Sequence, residues 1–120
     1  MPTSTKILKE RLGRYRQIKI GVIGRKSGRR ISVPVWFVLE GEQLYLLPVQ
    51  GSKTQWYQNV RKNPTIEIDA RGVAAEFRAT ALTGAKAVKS VVDKFQEKYG
   101  AGDVKKYYSG FDVAVLVKLE

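Results

Sequence analysis

The chain has 120 residues, a formal net charge of +11, 43% hydrophobic and 28% charged residues, 11 Gly and 4 Pro, which fits one globular domain and excludes collagen-like or disordered composition. It contains neither Cys nor His. That removes disulfides, thiolate chemistry, the Ser-His-Asp triad and every His-ligated zinc or haem site, so any redox chemistry must come from a bound cofactor.

The charge is uneven: residues 1–36 carry ten basic side chains against Glu10 alone, whereas the other 84 carry twelve basic against ten acidic. Such a field attracts an anion, whether nucleic acid, acidic lipid or a phosphorylated small molecule. No apolar run approaches the roughly 20 residues of a membrane span. The basic N-terminus also lacks the apolar stretch of a signal peptide. The expectation is a cytoplasmic protein.

In chain order, residues 3–13 read as a helix with Ile7, Leu8 and Leu12 on one side. It is basic with a small apolar face, a form that either packs on the rest of the domain or rests weakly on an anionic membrane surface. Residues 15–23 alternate as a half-buried strand, with Ile18, Ile20 and Val22 on one face. A loop of Gly and basic residues, 24–30, leads to a second strand over 31–39. A turn at Glu40-Gly41-Glu42 then feeds a third strand over 43–49. Pro34 and Pro48 each lack a ladder donor and belong at an edge or bulge.

Ser52 is the expected N-cap of a short helix to Lys62, stopped by Asn63-Pro64. Strands over 65–70 and 73–82 meet at the two-residue turn Arg71-Gly72. Val88, Val91, Val92, Phe95 and Tyr99 then mark a helix by their spacing of i, i+3, i+4, i+7 and i+11, with Thr83 as its expected cap and Gly100 at its end. Residues 112–119 form the sixth strand. The order α-β-β-β-α-β-β-α-β predicts a single α+β domain over 1–120, a mostly antiparallel sheet or small barrel flanked by helices.

Three segments carry the candidate chemistry. Gly24-Arg25-Lys26-Ser27-Gly28-Arg29-Arg30 combines flexible backbone, a hydroxyl and cations, a composition suited to phosphate or carboxylate, although GxxxxGK[ST] is absent. Gln50-Gly51-Ser52 ahead of a helix presents free amide donors and the positive end of its dipole. Trp56 and Tyr57 are adjacent, so one packs inside and the other borders a cleft. Tyr107-Tyr108 supplies phenols that either position a substrate oxygen or pack with a wet end. The carboxylates form no acid-base dyad or metal site. Glu67 and Asp69 share a strand face and read as solvent-facing charge, as do Glu40 and Glu42. Only Tyr15 and Trp36 are aromatic within the basic segment, so nucleic acid is not an expected partner.

Gly24-Arg25-Lys26-Ser27-Gly28-Arg29, Val33-Pro34-Val35, Gln50-Gly51-Ser52, Trp56-Tyr57-Gln58-Asn59-Val60 and Asn63-Pro64, taken in order and spacing, resemble the deazaflavin-dependent nitroreductase family. Those proteins are split β-barrels related to the pyridoxamine-phosphate oxidase type. The resemblance covers nearly all the chain after the first helix. It implies an α+β, mostly antiparallel six-stranded split β-barrel with flanking helices that binds coenzyme F420, a deazaflavin with a phosphate and an oligoglutamate tail. It also implies an oxidoreductase that passes hydride to a small-molecule electron acceptor, a quinone, nitro compound or activated alkene. FMN, used by the wider fold, is the alternative cofactor.

By that resemblance Lys26, Ser27 and Gly28 hold the phosphate and tail. Val33, Pro34, Val49, Gln50 and Gly51 line the ring, Trp56, Tyr57 and Asn59 lie nearby, and Tyr107 and Tyr108 stand on the substrate side. Ile31 occupies the position, three before the proline, where the family carries arginine. Arg30, one place earlier, contacts the ligand only if a bulge re-aims it. No protein side chain is implied as a catalytic nucleophile or base. Barrels of this type pair so that both chains border the cofactor, which makes a homodimer the expected assembly.

Overall fold

The computed structural model describes residues 2–119. Its elements are α1 (Pro2–Leu12), β1 (Gln17–Ile23), β2 (Arg30–Glu40), β3 (Gln43–Leu46), a 3-10 turn (Gly51–Lys53), α2 (Gln55–Lys62), β4 (Thr65–Ala70), β5 (Val73–Leu82), α3 (Ala85–Tyr99), α4 (Ala101–Tyr107) and β6 (Ala114–Lys118). The six strands close into an antiparallel barrel in the order β1-β2-β3-β6-β5-β4. The fold class read from the sequence is therefore the one observed.

β2 makes the barrel a split one. Its first half, Arg30 to Trp36, pairs only with β1, and its second half, Phe37 to Glu40, pairs with β3. The outer side of the first half is a free edge. Pro34, which has no N–H to give a neighbour, stands in that stretch opposite Lys19, as its chemistry demands. The β1–β2 register runs unbroken from Gln17↔Trp36 to Ile23↔Arg30, without a bulge.

Alternation builds the interior. Ile18, Ile20 and Val22 of β1, Ile66 and Ile68 of β4, and Leu44 and Leu46 of β3 are buried together with Phe37. α1 closes this core with Leu8 and Leu12, so the apolar face of the basic helix is spent on the barrel and Ile7 alone of its large apolar side chains stays exposed. α2 contributes Trp56, Tyr57 and Val60 from beside the split. A second core lies under α3, whose buried stripe Val88, Val91, Phe95 and Tyr99 packs on Val38, Leu47 and Ala114. Each such side chain contributes about 1.5–3 kcal/mol of transfer free energy.

The local expectations fail where tertiary contacts intervene. β3 stops at Leu46 rather than Val49, because Pro48 cannot continue the ladder. Ser52 caps nothing. The residue before α2 is Thr54, and Ser52 lies in the preceding 3-10 turn. Gly84 rather than Thr83 precedes α3. Gly100 does end α3, at φ 96°, but a further helix, α4, starts at once and carries Tyr107 in its last turn. The Arg71-Gly72 turn adopts positive φ at both residues, 59° and 100°, as the twist of a two-residue hairpin requires. Asp69 steadies it by accepting the Gly72 N–H at 2.8 Å.

Tyr57 is the one buried side-chain polar atom without a partner among the described residues. It is 1% exposed and its hydroxyl meets no hydrogen-bonding group. An orphaned hydroxyl costs desolvation without return. Tyr57→Phe is accordingly expected to leave stability unchanged or raise it by up to about 1 kcal/mol, read as a higher midpoint in urea unfolding; a loss above that size would show that the hydroxyl is satisfied in solution.

Candidate functional site

The free edge of β2 looks into a cleft of about 570 Å³. Val33, Pro34, Val35 and Trp36 supply one wall; Leu47, Val49, Thr54, Trp56, Tyr107 and Tyr108 supply the other, and Gln17 closes one end. The lining is mainly apolar and aromatic. Trp36 is fixed from behind by Tyr99, stacked with centroids 4.3 Å apart and planes 10° from parallel. Tyr99 is itself held by its hydroxyl, which accepts the Phe37 N–H at 3.1 Å and faces the Arg16 carbonyl at 2.6 Å. A rigid aromatic wall of this kind suits a planar ring. Tyr108 is buried against Trp36 and Phe95, and burial pushes its phenol pKa upward, so it remains a protonated donor.

A second hollow of about 260 Å³ adjoins the first, sharing Val33 and Trp56 with it. It is lined by Gly24, Arg25, Lys26, Ser27, Ile31, Gln55 and Asn59. Arg25 is the organiser of the loop. Its guanidinium donates to Asn59 Oδ1 at 2.7 Å and to Gln55 Oε1 at 2.8 Å, and its backbone N–H donates to the same Asn59 oxygen at 3.1 Å. Half-buried and bonded to two α2 side chains, Arg25 ties the loop to α2, which leaves Lys26 as the unengaged cation in the lining, with Arg29 nearby in the loop but outside the lining. Both are exposed, and among the described residues neither has a carboxylate partner. At Gly24 a Cβ would lie 2.7 Å from Ser27 Oγ, a contact the serine side chain can relieve by rotating. Gly28 is required by its φ of 72°.

The predicted site residues divide accordingly. Val33, Pro34, Val49, Trp56, Tyr107 and Tyr108 meet around the cleft. Lys26, Ser27 and Asn59 meet at the basic hollow, where Asn59 also fastens Arg25. Of the adjacent aromatics, Trp56 borders both hollows and Tyr57 faces the core. Gly28 shapes the loop, its N–H given to the Gly24 carbonyl at 2.8 Å.

Arg30 is not in the groove. With no bulge to turn it, its side chain lies over the other face of the sheet and pairs with Glu76 and, at 3.7 Å, with Glu67. Gln50 and Gly51 also lie outside the cleft lining, and the free amide donors expected there are all engaged. Gln50 N–H donates to Thr54 Oγ1 at 2.8 Å, Gly51 N–H to the Pro48 carbonyl at 3.1 Å, Lys53 N–H to Gln50 and Thr54 N–H to Gly51. Ser52 donates its N–H to Asp112 Oδ1 at 2.9 Å and its hydroxyl to Asp112 Oδ2 at 2.6 Å. The chain's own carboxylate thus occupies the anion position of that turn.

Gln17, Val35, Trp36, Leu47 and Thr54 are the cleft residues that sequence reasoning missed. The signal for Trp36 was available: it is two residues from Pro34 on the strand that the proline marks as an edge.

The Asp112 contacts close a clasp between residues 48–54 and 107–112, completed by Ser109 N–H to the Val49 carbonyl at 2.8 Å and a parallel bridge Gln50↔Gly110. The clasp sets Val49 beside Tyr107 and Tyr108 in one wall of the cleft. The Ser52 hydroxyl and amide hold the Asp112 carboxyl below the usual carboxylate range. Its contribution is therefore complete above the ordinary carboxylate pKa and lost as pH falls through the lowered one. In wild type, tryptophan emission from Trp36 and Trp56 should change on acidification below about pH 4, the ordinary Asp value. Asp112→Asn should lack that transition, and a transition persisting unchanged would remove Asp112 as its source.

Among known proteins, the family described as an uncharacterized protein conserved in bacteria, DUF2255, matches residues 9–112. The chain belongs to that family. No curated protein matches the sequence. Three solved structures show the fold. An F420-H2 dependent reductase (FDR-A) superposes with TM-score 0.66 at 20% identity over 86% of this chain and 94% of its own. HutZ, a heme storage protein from Vibrio cholerae, gives 0.71 at 15% over 96% and 89%. A putative pyridoxamine 5′-phosphate oxidase from Listeria innocua gives 0.64 at 11% over 94% and 90%. The resemblance to deazaflavin-using and pyridoxamine-phosphate oxidase-type split barrels therefore holds at the level of fold. No helix among the described residues is long and apolar enough to cross a membrane.

Proposed function

We propose that this DUF2255 protein is a reductase that binds a reduced deazaflavin of the F420 type in the β2-edge groove and delivers hydride to a quinone, nitro compound or activated alkene. One observation carries the reading: an aromatic-walled cleft and a cationic hollow adjoin, with Val33 and Trp56 lining both. The residues fit a planar ring with an anionic extension. Trp36, Val33 and Trp56 offer apolar walls, while Lys26 and the Ser27 hydroxyl offer a cation and a donor in the hollow, with the exposed Arg29 close by in the same loop. A bound deazaflavin supplies the hydride, consistent with a chain that has no thiol or imidazole. The protein's part is to bind, orient and keep water from the ring, with the half-exposed Tyr107 at the open side where an acceptor oxygen enters.

FMN is the second reading, since its ring and single phosphate suit the same two hollows. Haem would lack imidazole and thiolate ligands and depend on a cleft tyrosine for its iron. Val49, Ile31 and Tyr107 remain 41–52% exposed around the groove, and a second copy covering them would complete a homodimeric site in the cytoplasm. Weak contact of the basic α1 with an anionic membrane would bring a lipid-soluble acceptor close.

The test is titration of the pure protein with reduced F420 and with reduced FMN, each followed by a quinone. Binding of the deazaflavin with acceptor-dependent oxidation is the expected result. Binding of FMN alone selects the second reading, and binding of neither overturns both.

A further inference from the structure

The other side of the clasp carries a second cleft, of about 610 Å³, in the volume range of small-molecule sites. Its floor is the α3 stripe Val88 and Val92, and its far wall is the ring of Phe111. Val88 is buried, and Val92, half-buried, and Phe111, 41% exposed, are the apolar surface that folding leaves open. The rim carries Lys89 and Lys105. Lys89 is paired with Asp93 at 3.1 Å, whereas Lys105 has no carboxylate partner among the described residues. Asp112 is the acid in the lining, and both of its oxygens are engaged by Ser52. An apolar floor under a free ammonium is complementary to an apolar anion.

This cleft and the β2-edge cleft share a partition. Tyr108 lines the first and Phe111 the second, their rings 6.5 Å apart and inclined at 31°. We propose that the cleft between α3, α4 and Phe111 is a second ligand site that takes an apolar carboxylate, its chain on Val88, Val92 and Phe111 and its charge on Lys105, and that occupancy there shifts Tyr108 in the first cleft. The link is direct contact: a ligand that displaces the Phe111 ring moves the partition, and the clasp fixes that partition to Val49 in the same wall. The site is independent of which cofactor the first cleft binds.

Dodecanoate below its micelle concentration is the probe, titrated into the full chain by calorimetry and by tryptophan emission. The chain has 2 Trp, Trp36 and Trp56, both in the first cleft, so emission reports on the coupling and heat on the binding. Saturable one-to-one heat is expected together with an emission change. Val92→Glu and Lys105→Glu should each weaken binding by about tenfold or more, equivalent to about 1.4 kcal/mol, and Lys118→Glu, the same charge reversal at an exposed residue that lines neither cleft, should not. Lys105 is exposed, so its variant tests the site even if Val92→Glu disturbs folding. Neutral dodecanol should bind more weakly. Absence of saturable heat overturns the site, as does binding that Lys105→Glu weakens no more than Lys118→Glu does. Equal binding of dodecanol overturns the anionic end, and heat without an emission change overturns the coupling.

Discussion

Gly110→Ala is expected to cost about 3 kcal/mol of stability, the range for forcing atoms into a filled site, and to lower the melting midpoint by about 10–15 °C for a domain of this size. The cause is a backbone crossing. At Gly110 the chain passes over residues 50 and 51 so closely that an added Cβ would lie 2.7 Å from the Gln50 carbonyl carbon and 2.7 Å from the Gly51 nitrogen. Those atoms cannot move as a flexible side chain would, because the Gln50 and Gly51 amides are held by Thr54 and Pro48. Gly51 is bound by the same crossing: its φ is 59° and a Cβ there would fall on the Asp112 carboxylate. Gly102, in α4 with nothing near its missing Cβ, is the control. Gly102→Ala should stabilise by about 0.5–1 kcal/mol, since alanine is the better helix former. Thermal unfolding of both variants checks the pair, and a Gly110→Ala protein as stable as wild type would mean that the clasp is open in solution.

Reversing Lys26 and Arg29 to Glu is expected to weaken binding of reduced F420 about a hundredfold at low salt. A hydrogen bond to a charged group contributes about 1.5 kcal/mol or more, and two positions give about 3 kcal/mol. The gap should narrow as salt rises, because exposed charges are screened within about 10 Å at 0.1 M. Folding should be unaffected, since both side chains are exposed and neither has a carboxylate partner among the described residues. Reversing Arg25 instead would test a different quantity, because its guanidinium ties the loop to Asn59 and Gln55; that variant should lose loop order as well as affinity. Fluorescence titration at two ionic strengths reads all three. A loss below about threefold for the double reversal would place the anionic tail elsewhere. A loss confined to about tenfold, shared by FMN, would point to a single phosphate.

The strands from Thr65 to Ala70 and from Val73 to Leu82 were legible in the sequence to the residue, because a two-residue turn and an alternating pattern fix both ends locally. α3 was legible through its apolar spacing. α4 was not, since residues 101–107 bury only Val104 and so give no periodic signal. Among the cleft residues, Pro34 was readable as an edge position because a proline inside a strand declares one, and an edge is where this barrel opens; Val33 came only from the family resemblance. Gln50, Gly51 and Ser52 looked like an anion cradle because their local pattern is that of one. Nothing in that segment indicates that a carboxylate 60 residues on has filled it.

What the amino-acid sequence settled by itself was the exclusion of thiol and imidazole chemistry, the concentration of positive charge before residue 36, and the alternating and helical periods that make an α+β barrel. These are properties of composition and of neighbours along the chain. The tertiary structure alone decided which cations face the groove, since Arg25 and Arg30 are claimed by partners 30 or more residues away, and which backbone donors remain free. Such assignments depend on contacts between distant segments, and hydrogen-bonding groups of one type are interchangeable until the fold brings a particular pair within 3 Å.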